Sequence, residues 1–349
     1  MRAAATERWQ RIVSRRGLAA RLLWPLMVPY AASMAIRDRL YRSHLLTTVR
    51  LPVPVVVVGN LVVGGAGKTP TTIAIVESLR RAGRRPGIVS RGYGGDASGV
   101  LEVERDTPPA RSGDEPLLLR RRAAVPVFVG SDRVAAARAL LARHPDIDVI
   151  VSDDGLQHRR LGRDVQVLVF DERGAGNGWM LPAGPLREPL PARIGARDLV
   201  LYNAPCATTH FPGAVADRRL AGVVELAAWW RGDAPVEGSL TALRGRSILA
   251  AAGIARPERF FDALCEAGVA IEPLPLPDHA SFDELPWPRD AREVIVTEKD
   301  AVKLDPARTA PTTVWVAALD FVLPARFEAD LLRLVADLPA SYRHGNTPS

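Results

Sequence analysis

The stretch "VVVVGNLVVGGAGKTP", residues 55–70, constrains the fold more than any other part of this chain. Four consecutive β-branched residues without polar alternation predict a strand buried on both faces, and such strands belong to sheets covered by helices on both sides. A glycine-rich turn ending in Lys68-Thr69 follows, and residues 71–82 read as a helix. In a strand–turn–helix unit of this kind, successive backbone N–H groups point into the turn. The helix N-terminus adds partial positive charge, and the two together bind phosphate oxygens. The loop comprises Val62, Val63, Gly64, Gly65, Ala66, Gly67, Lys68 and Thr69. Its chemistry predicts that Lys68 reaches the β- and γ-phosphates of a nucleotide and that the Thr69 hydroxyl serves Mg²⁺. Val62 stands where the usual pattern opens on glycine, but a loop with two adjacent glycines is a variant of the same device. Val63 occupies the place where many such loops carry an additional lysine. Of 46 basic residues only three are lysine, namely Lys68, Lys299 and Lys303. A lysine kept in the loop against an arginine background points to a need for a compact ammonium.

Short β-branched runs then alternate with helix-like stretches. Residues 55–58, 87–90, 125–129, 149–152, 165–170 and 199–202 read as strands, with helices at 71–82 and 133–143 among them. This rhythm predicts an α/β fold, a P-loop NTPase-like parallel sheet with helices on both faces. The polar, turn-rich stretch 231–245 reads as a domain boundary. Beyond it the rhythm resumes with strands at 247–251, 294–297 and 314–317, a helix opened by Pro257, and a final helix over 325–338. The expected organisation is an N-terminal arm over 1–50, a P-loop core domain over 51–235 and a smaller C-terminal α/β domain over 236–349. The tail after Leu338 carries no motif and is expected to fray.

Charge sets the arm apart. Residues 1–50 hold ten arginines against Glu7 and Asp38, whereas the other 299 residues sum to −1. A body so close to neutral argues against nucleic acid as a partner. Within the arm, the uncharged run 22–36 is fifteen residues long and contains Pro25 and Pro29. That is short of the roughly twenty residues needed to span a bilayer, and the prolines are expected to break it further. Flanking arginines and Trp24, Tyr30 and Tyr41 suit a helical segment lying in a membrane interface. Two cysteines at no metal-like spacing, Cys206 and Cys265, fit a reducing compartment without structural disulfides.

Further motifs carry possible chemistry. In "DVIVSDDGLQH", residues 148–158, a strand leads to Asp153-Asp154, paired carboxylates of the kind that organise Mg²⁺ beside a phosphate loop. "SRGYGG" at 90–95 holds Arg91 and Tyr93, "SGDEPLLL" at 112–119 holds Asp114-Glu115, and "LPDHASF" at 276–282 holds His279. A phosphotransferase needs such a second set of groups, including a base for an acceptor hydroxyl.

Taken in order, "GNLVVGGAGKTP", "RPGIVSRGYGG", "GDEPLLL", "VGSDRVAAARALL", "DVIVSDDGLQHRRLGRDVQVLVFD", "GNGWMLPAGPLREPL" and "VTEKDAVKL" resemble the tetraacyldisaccharide 4'-kinase family. The resemblance implies transfer of the γ-phosphate of ATP to the 4'-hydroxyl of an acylated disaccharide 1-phosphate lipid, giving lipid IVA in lipid A biosynthesis. It implies two α/β domains that move on a hinge, and a peripheral position on the cytoplasmic face of the bacterial inner membrane. It assigns catalysis to Asp114, paired with His279, and to Lys68. Mg²⁺ falls to Thr69, Asp154 and Glu115, and contact with the lipid substrate to Arg91 and Tyr93. The alternative is a P-loop switch ATPase of the partitioning or metal-insertion type acting on a protein partner. The absence of lysine at Val63 and the lipid-like arm favour the kinase.

Overall fold

A computed structural model describes residues 9, 11–96, 98–236 and 238–338. The C-terminal tail and residues 1–8 of the basic arm lie outside the described residues.

The arm contributes α1, Leu18–Arg42. The chain then runs through β1 (Val55–Gly59), α2 (Lys68–Arg81), β2 (Pro86–Ser90), β3 (Leu101–Glu102), α3 (Pro109–Ser112), α4 (Asp114–Ala123), β4 (Val127–Val129), α5 (Arg133–Arg143), β5 (Val149–Asp153), β6 (Val165–Asp171), β7 (Asp198–Asn203) and β8 (Ala214–Val215). These strands form one sheet in the order β3-β4-β2-β5-β1-β6-β7-β8. All its pairings are parallel except β3 with β4. The valine run is its centre. Val56 and Val58 face one apolar cluster, Val55 and Val57 the other, as strand alternation requires.

The second unit holds β9 (Asp217–Glu225), α6 (Leu226–Arg231), β10 (Ser247–Ala252), α7 (Pro257–Glu266), β11 (Ala270–Pro275), β12 (Glu293–Thr297), α8 (Glu298–Ala301), β13 (Thr313–Val322) and α9 (Ala325–Ala336). Its five strands are ordered β11-β10-β12-β13-β9, with β9 antiparallel to β13. By strand pairing the division between the sheets therefore falls between β8 and β9, upstream of the turn-rich stretch 231–245. The reason is tertiary: β9 is stabilised by its ladder to β13, a partner far along the chain, and not by local pattern. The two units share one apolar cluster, which runs from Ile75 and Leu79 of α2 to Val294, Val316 and Leu331. Arg122 of α4 ties them further, placing Nη1 2.8 Å from both oxygens of Glu298.

The arm departs from expectation in one respect. Pro25 and Pro29 sit inside a continuous helix of 25 residues. Each proline removes one backbone donor, but the flanking Leu, Met and Ala residues are good helix formers and carry the turns through. At 1.5 Å per residue the helix is about 37 Å long, enough by length and composition to cross a bilayer core of about 30 Å. Among its residues only Ala20 is buried, and Leu18, Leu22, Trp24, Leu26, Val28 and Ile36 are exposed. This is not a core helix.

Candidate active site

The phosphate loop leaves β1 at the middle of the first sheet. Val62 is buried and bridges Leu186, while the Val63 amide donates to the Pro185 carbonyl at 2.9 Å. The place usually held by glycine is thus a packing position. Asn60, also buried, donates from Nδ2 to the carbonyls of Val62 (2.6 Å) and Gly64 (3.1 Å). From the outer side, Arg173 donates to the carbonyls of Val63 (3.0 Å) and Gly65 (3.4 Å) and is itself held by Asp171. Gly67 is left-handed, and a Cβ there would lie 2.0 Å from Nδ2 of Asn203, which donates to the Ala66 carbonyl. Only glycine fits. The fold thereby grips the carbonyls of the loop from both sides. The helix begins at Lys68 rather than at residue 71, so Lys68 and Thr69 stand in its first turn. Of the loop residues, Gly65, Gly67, Lys68 and Thr69 line a cleft between the two units, with a cavity volume of about 270 Å³.

Strand register brings the paired carboxylates beside the loop, since β5 lies next to β1 and Asp153 pairs with Val58. The two aspartates have different environments. Asp153 is buried, accepting from the hydroxyls of Thr72 (2.9 Å) and Ser90 (3.4 Å). Burial first, and then the Glu115 and Asp154 carboxylates, push Asp153 up to about 7. Asp154 is half-exposed and left-handed at φ 48°. Its Oδ1 lies 3.7 Å from Lys68 Nζ and 3.4 Å from Arg187 Nη1. Lys68 Nζ also donates to Asn60 Oδ1 at 3.3 Å.

Across the cleft, Asp114 and His279 meet although they lie in different units. His279 Nδ1 is 3.2 Å from Asp114 Oδ2. Gly113, φ 87°, opens α4 at a point where a Cβ would lie 2.4 Å from the Tyr93 carbonyl, so glycine is needed to present Asp114 there. His279 is left-handed at φ 59°. Four non-glycine residues among those described have positive φ, and two of them are Asp154 and His279, which places local backbone strain at the site. The His279 loop is pinned by its amide donating to the Gly253 carbonyl (3.2 Å) and by Lys303 Nζ donating to the Ala280 carbonyl (2.9 Å). Tyr93 packs edge-on to the His279 ring with centroids 5.9 Å apart, and is otherwise exposed, as is Arg91. Glu115 is ion-paired to Lys299 at 3.4 Å, and both line the cleft with Lys68 and Thr69. Burial alone would lower the Lys299 ammonium, but facing Glu115 and Asp278 carboxylates hold it above the usual lysine value.

Sequence reasoning had no reason to single out Asn60, Asn203 or Arg173, because their role is to hold carbonyls of a distant or irregular segment. Lys299 and Lys303 did carry a signal, as the other two lysines of the chain.

A loop at the end of a central parallel strand, its lysine in the first helical turn, carboxylates on the neighbouring strand and a second unit closing over the cleft define a P-loop kinase fold. The comparisons narrow the class. The family model described as tetraacyldisaccharide-1-P 4'-kinase (LpxK) matches residues 19–336. The tetraacyldisaccharide 4'-kinase of Leptothrix cholodnii is 58% identical over 323 residues, covering 91% of this chain and 92% of the relative. That of Methylibium petroleiphilum is 54% identical over 343 residues, covering 97% and 95%. The crystal structure of LpxK from Aquifex aeolicus in complex with ATP superposes with a TM-score of 0.75 at 25% identity, covering 91% of this chain and all of that one. The chain belongs to the tetraacyldisaccharide-1-P 4'-kinase family.

Proposed function

We infer that the chain transfers the γ-phosphate of ATP to the 4'-hydroxyl of a tetraacyldisaccharide 1-phosphate, the step that forms lipid IVA in lipid A biosynthesis. The observation that carries this reading, beyond family membership, is the contact between Asp114 and His279, joined through Lys299 and Glu115 to the cleft that the phosphate loop also lines. A switch ATPase needs no base for an alcohol, whereas a sugar hydroxyl does.

In this reading the nucleotide lies in the cleft. Its phosphates face Gly65, Gly67, Lys68 and Thr69, and its base faces the apolar side formed by Ile73, Ile254 and Phe260. The acceptor oxygen attacks the γ-phosphorus as its proton passes to Asp114. The bond from the γ-phosphorus to the bridging oxygen breaks and ADP leaves. Lys68 stabilises charge on the transferring group. Tyr93, packed edge-on to the His279 ring, and the exposed Arg91 of the same loop contact the lipid substrate.

The residues present suit Mg²⁺. It takes hard oxygen ligands, commonly one or two carboxylates together with substrate phosphates. Asp153, Asp154 and Glu115 bring three carboxylates close to the loop, negative charge that a divalent cation would balance. Thr69 and Asp154 would hold the ion, with Glu115 facing the same space. When bound, it neutralises charge on the β- and γ-phosphates.

The exposed apolar helix of the arm supports a position at a membrane. Tyr30 donates to the Arg187 carbonyl at 2.8 Å, Arg37 pairs with Glu188 at 3.4 Å, and Asp38 pairs with Arg159. These contacts hold the C-terminal half of α1 along the first unit, and its bare apolar side is left for lipid. This favours peripheral attachment, which we assign to the cytoplasmic face of the inner membrane, where ATP is available. The direct test is incubation with labelled ATP and the disaccharide 1-phosphate. A product carrying label at the 4'-position supports the reading. ATP hydrolysis without a labelled lipid overturns it.

A further inference from the structure

Lysine is scarce in this chain, yet Lys68 and Lys299 line one cleft and Lys303 approaches Asp114. Lys68 sits in the phosphate loop. Lys303 lies 3.9 Å from Asp114 and 3.0 Å from the buried Asp300. Lys299 has the most specific arrangement. Its Nζ is 3.2 Å from His279 Nε2, 3.2 Å from Asp278 Oδ1 and 3.4 Å from Glu115 Oε1. These are three acceptors on three residues, and an ammonium has three hydrogens and no lone pair. A planar guanidinium would direct its donors into one plane and could not meet the same set.

This has a consequence for the histidine. Because Nζ can only donate, Nε2 of His279 must be the acceptor of that contact. The ring proton of neutral His279 then resides on Nδ1 and is donated to Asp114 Oδ2, leaving Oδ1 of Asp114 for a substrate hydroxyl. Lys299 is itself well placed to impose this. It follows Thr297, whose hydroxyl accepts from the Asp300 amide at 3.2 Å and donates to the Asp300 carboxylate at 2.7 Å. Asp300 in turn accepts from the Gly253 amide at 3.0 Å, the residue whose carbonyl pins the His279 backbone. We propose that Lys299 is the positioning residue of the Asp114–His279 pair: it selects the Nδ1–H tautomer of His279 and, through Glu115, ties that ring across the cleft to the unit that carries Asp114. The proposal rests on the kinase reading for its effect on turnover, but not for its effect on the ring.

The test uses the full chain in two variants. Lys299→Met keeps the length of the side chain and removes the donors, and Lys299→Arg keeps the charge and changes the geometry. Side-chain ¹⁵N–¹H correlation spectra report the tautomer, with the His279 signals assigned by their loss in His279→Gln. Wild type should show Nδ1–H. Lys299→Met should move His279 toward a mixture or to Nε2–H. Its kcat for lipid phosphorylation should fall on the order of 10- to 100-fold, at the low end of what a positioned base supplies, with KM for ATP changed less than about threefold. Lys299→Arg should show the same tautomer change in smaller degree, and it carries the test if the methionine variant does not fold. A folded variant that keeps the wild-type tautomer and a kcat within about twofold overturns the proposal. A tautomer change in a protein whose wild type phosphorylates no lipid would leave the proposal standing and overturn the kinase reading instead.

Discussion

Asp153→Asn should make the metal-free protein more stable at neutral and alkaline pH. Asp153 is buried, and its carboxyl is pushed from 3.8 to about 7, first by burial and then by Glu115 and Asp154. The native state therefore binds this proton more tightly than the unfolded chain does. Stability from this group is fully present below about pH 4 and is lost as pH rises through about 7. Holding the group ionised at pH 8 costs the native state up to about 4 kcal/mol, taking about 1.4 kcal/mol for each pH unit between the two values. Asparagine has the same shape and no charge. Its oxygen still accepts from Thr72, and its NH₂ can donate to Ser90 once that hydroxyl rotates, so neither partner is orphaned. If the chain of 349 residues unfolds cooperatively, its unfolding entropy is about 0.7 kcal/mol/K, and the ceiling corresponds to a Tm rise of about 5 °C. The assay is thermal melting of wild type and variant from about pH 4 to about 8.5, without Mg²⁺ or nucleotide. The two curves should lie closest at about pH 4, diverge as pH rises toward 7, and keep a constant separation above about pH 7. A difference that does not change with pH, or a variant that melts lower at pH 8, would refute the reasoning.

Lys68→Ala should reduce transfer by at least about 10²-fold with little change in melting, because the loop lysine acts mainly on charge in the transition state. Lys68→Arg should fail nearly as badly, since a guanidinium does not fit the space beside Asn60 and Asp154, and near-wild-type turnover in either variant would remove the loop from the mechanism. Asp114→Ala and His279→Ala should each slow turnover without comparable loss of ATP affinity, and the double variant should be little worse than the worse single one; additive losses would show that the two act independently. Deleting residues 1–43 should move the protein off anionic vesicles in sedimentation. Binding of the full chain should weaken with salt but persist, because its apolar part is not screened. Equal vesicle binding by the truncated protein would exclude the arm as the attachment.

What could be read from the sequence was what depends on neighbours in sequence. The valine run, the glycine turn and the helix after it are local devices, and their positions follow from periodicity and from glycine chemistry. Strand β9 was not legible. Its first half, "DRRL", is polar, and only the ladder to β13 makes it a strand. Strand β11 was hidden by Pro273 and Pro275, which it tolerates as the edge of its sheet. In the arm, two prolines read as breaks because propensity is a local measure. At the site, residue types announced a loop, a pair of carboxylates and a histidine. No spacing could announce that Asp153 is sealed under Thr72 and Ser90, or that Asp154 turns outward to Lys68 and Arg187. The scarcity of lysine was visible in the composition, but its meaning needed the distances from Lys299 to three acceptors.

The segment between Asp154 and Glu188 connects the two halves of the chemistry. One residue, Arg187, offers its carbonyl to Tyr30 of α1 at 2.8 Å and its guanidinium to Asp154 at 3.4 Å and to Gln157 at 3.3 Å. Its neighbour Glu188 is buried between Arg37 of the arm, at 3.4 Å, and Arg159, at 3.2 Å. A buried carboxylate between two arginines is costly to unpair, so the register of α1 against the first unit is set by groups that cannot slide independently. The exposed apolar side of α1 and the carboxylate nearest the loop lysine are therefore held in one frame. For a substrate whose acyl chains stay in a bilayer, such a frame fixes the height of the phosphate loop above the lipid surface. Shifting α1 by one turn would move the lipid-facing residues by about 5.4 Å relative to Asp154. In the proposed function, the arm therefore sets the position of the acceptor relative to Asp154 as well as anchoring the enzyme.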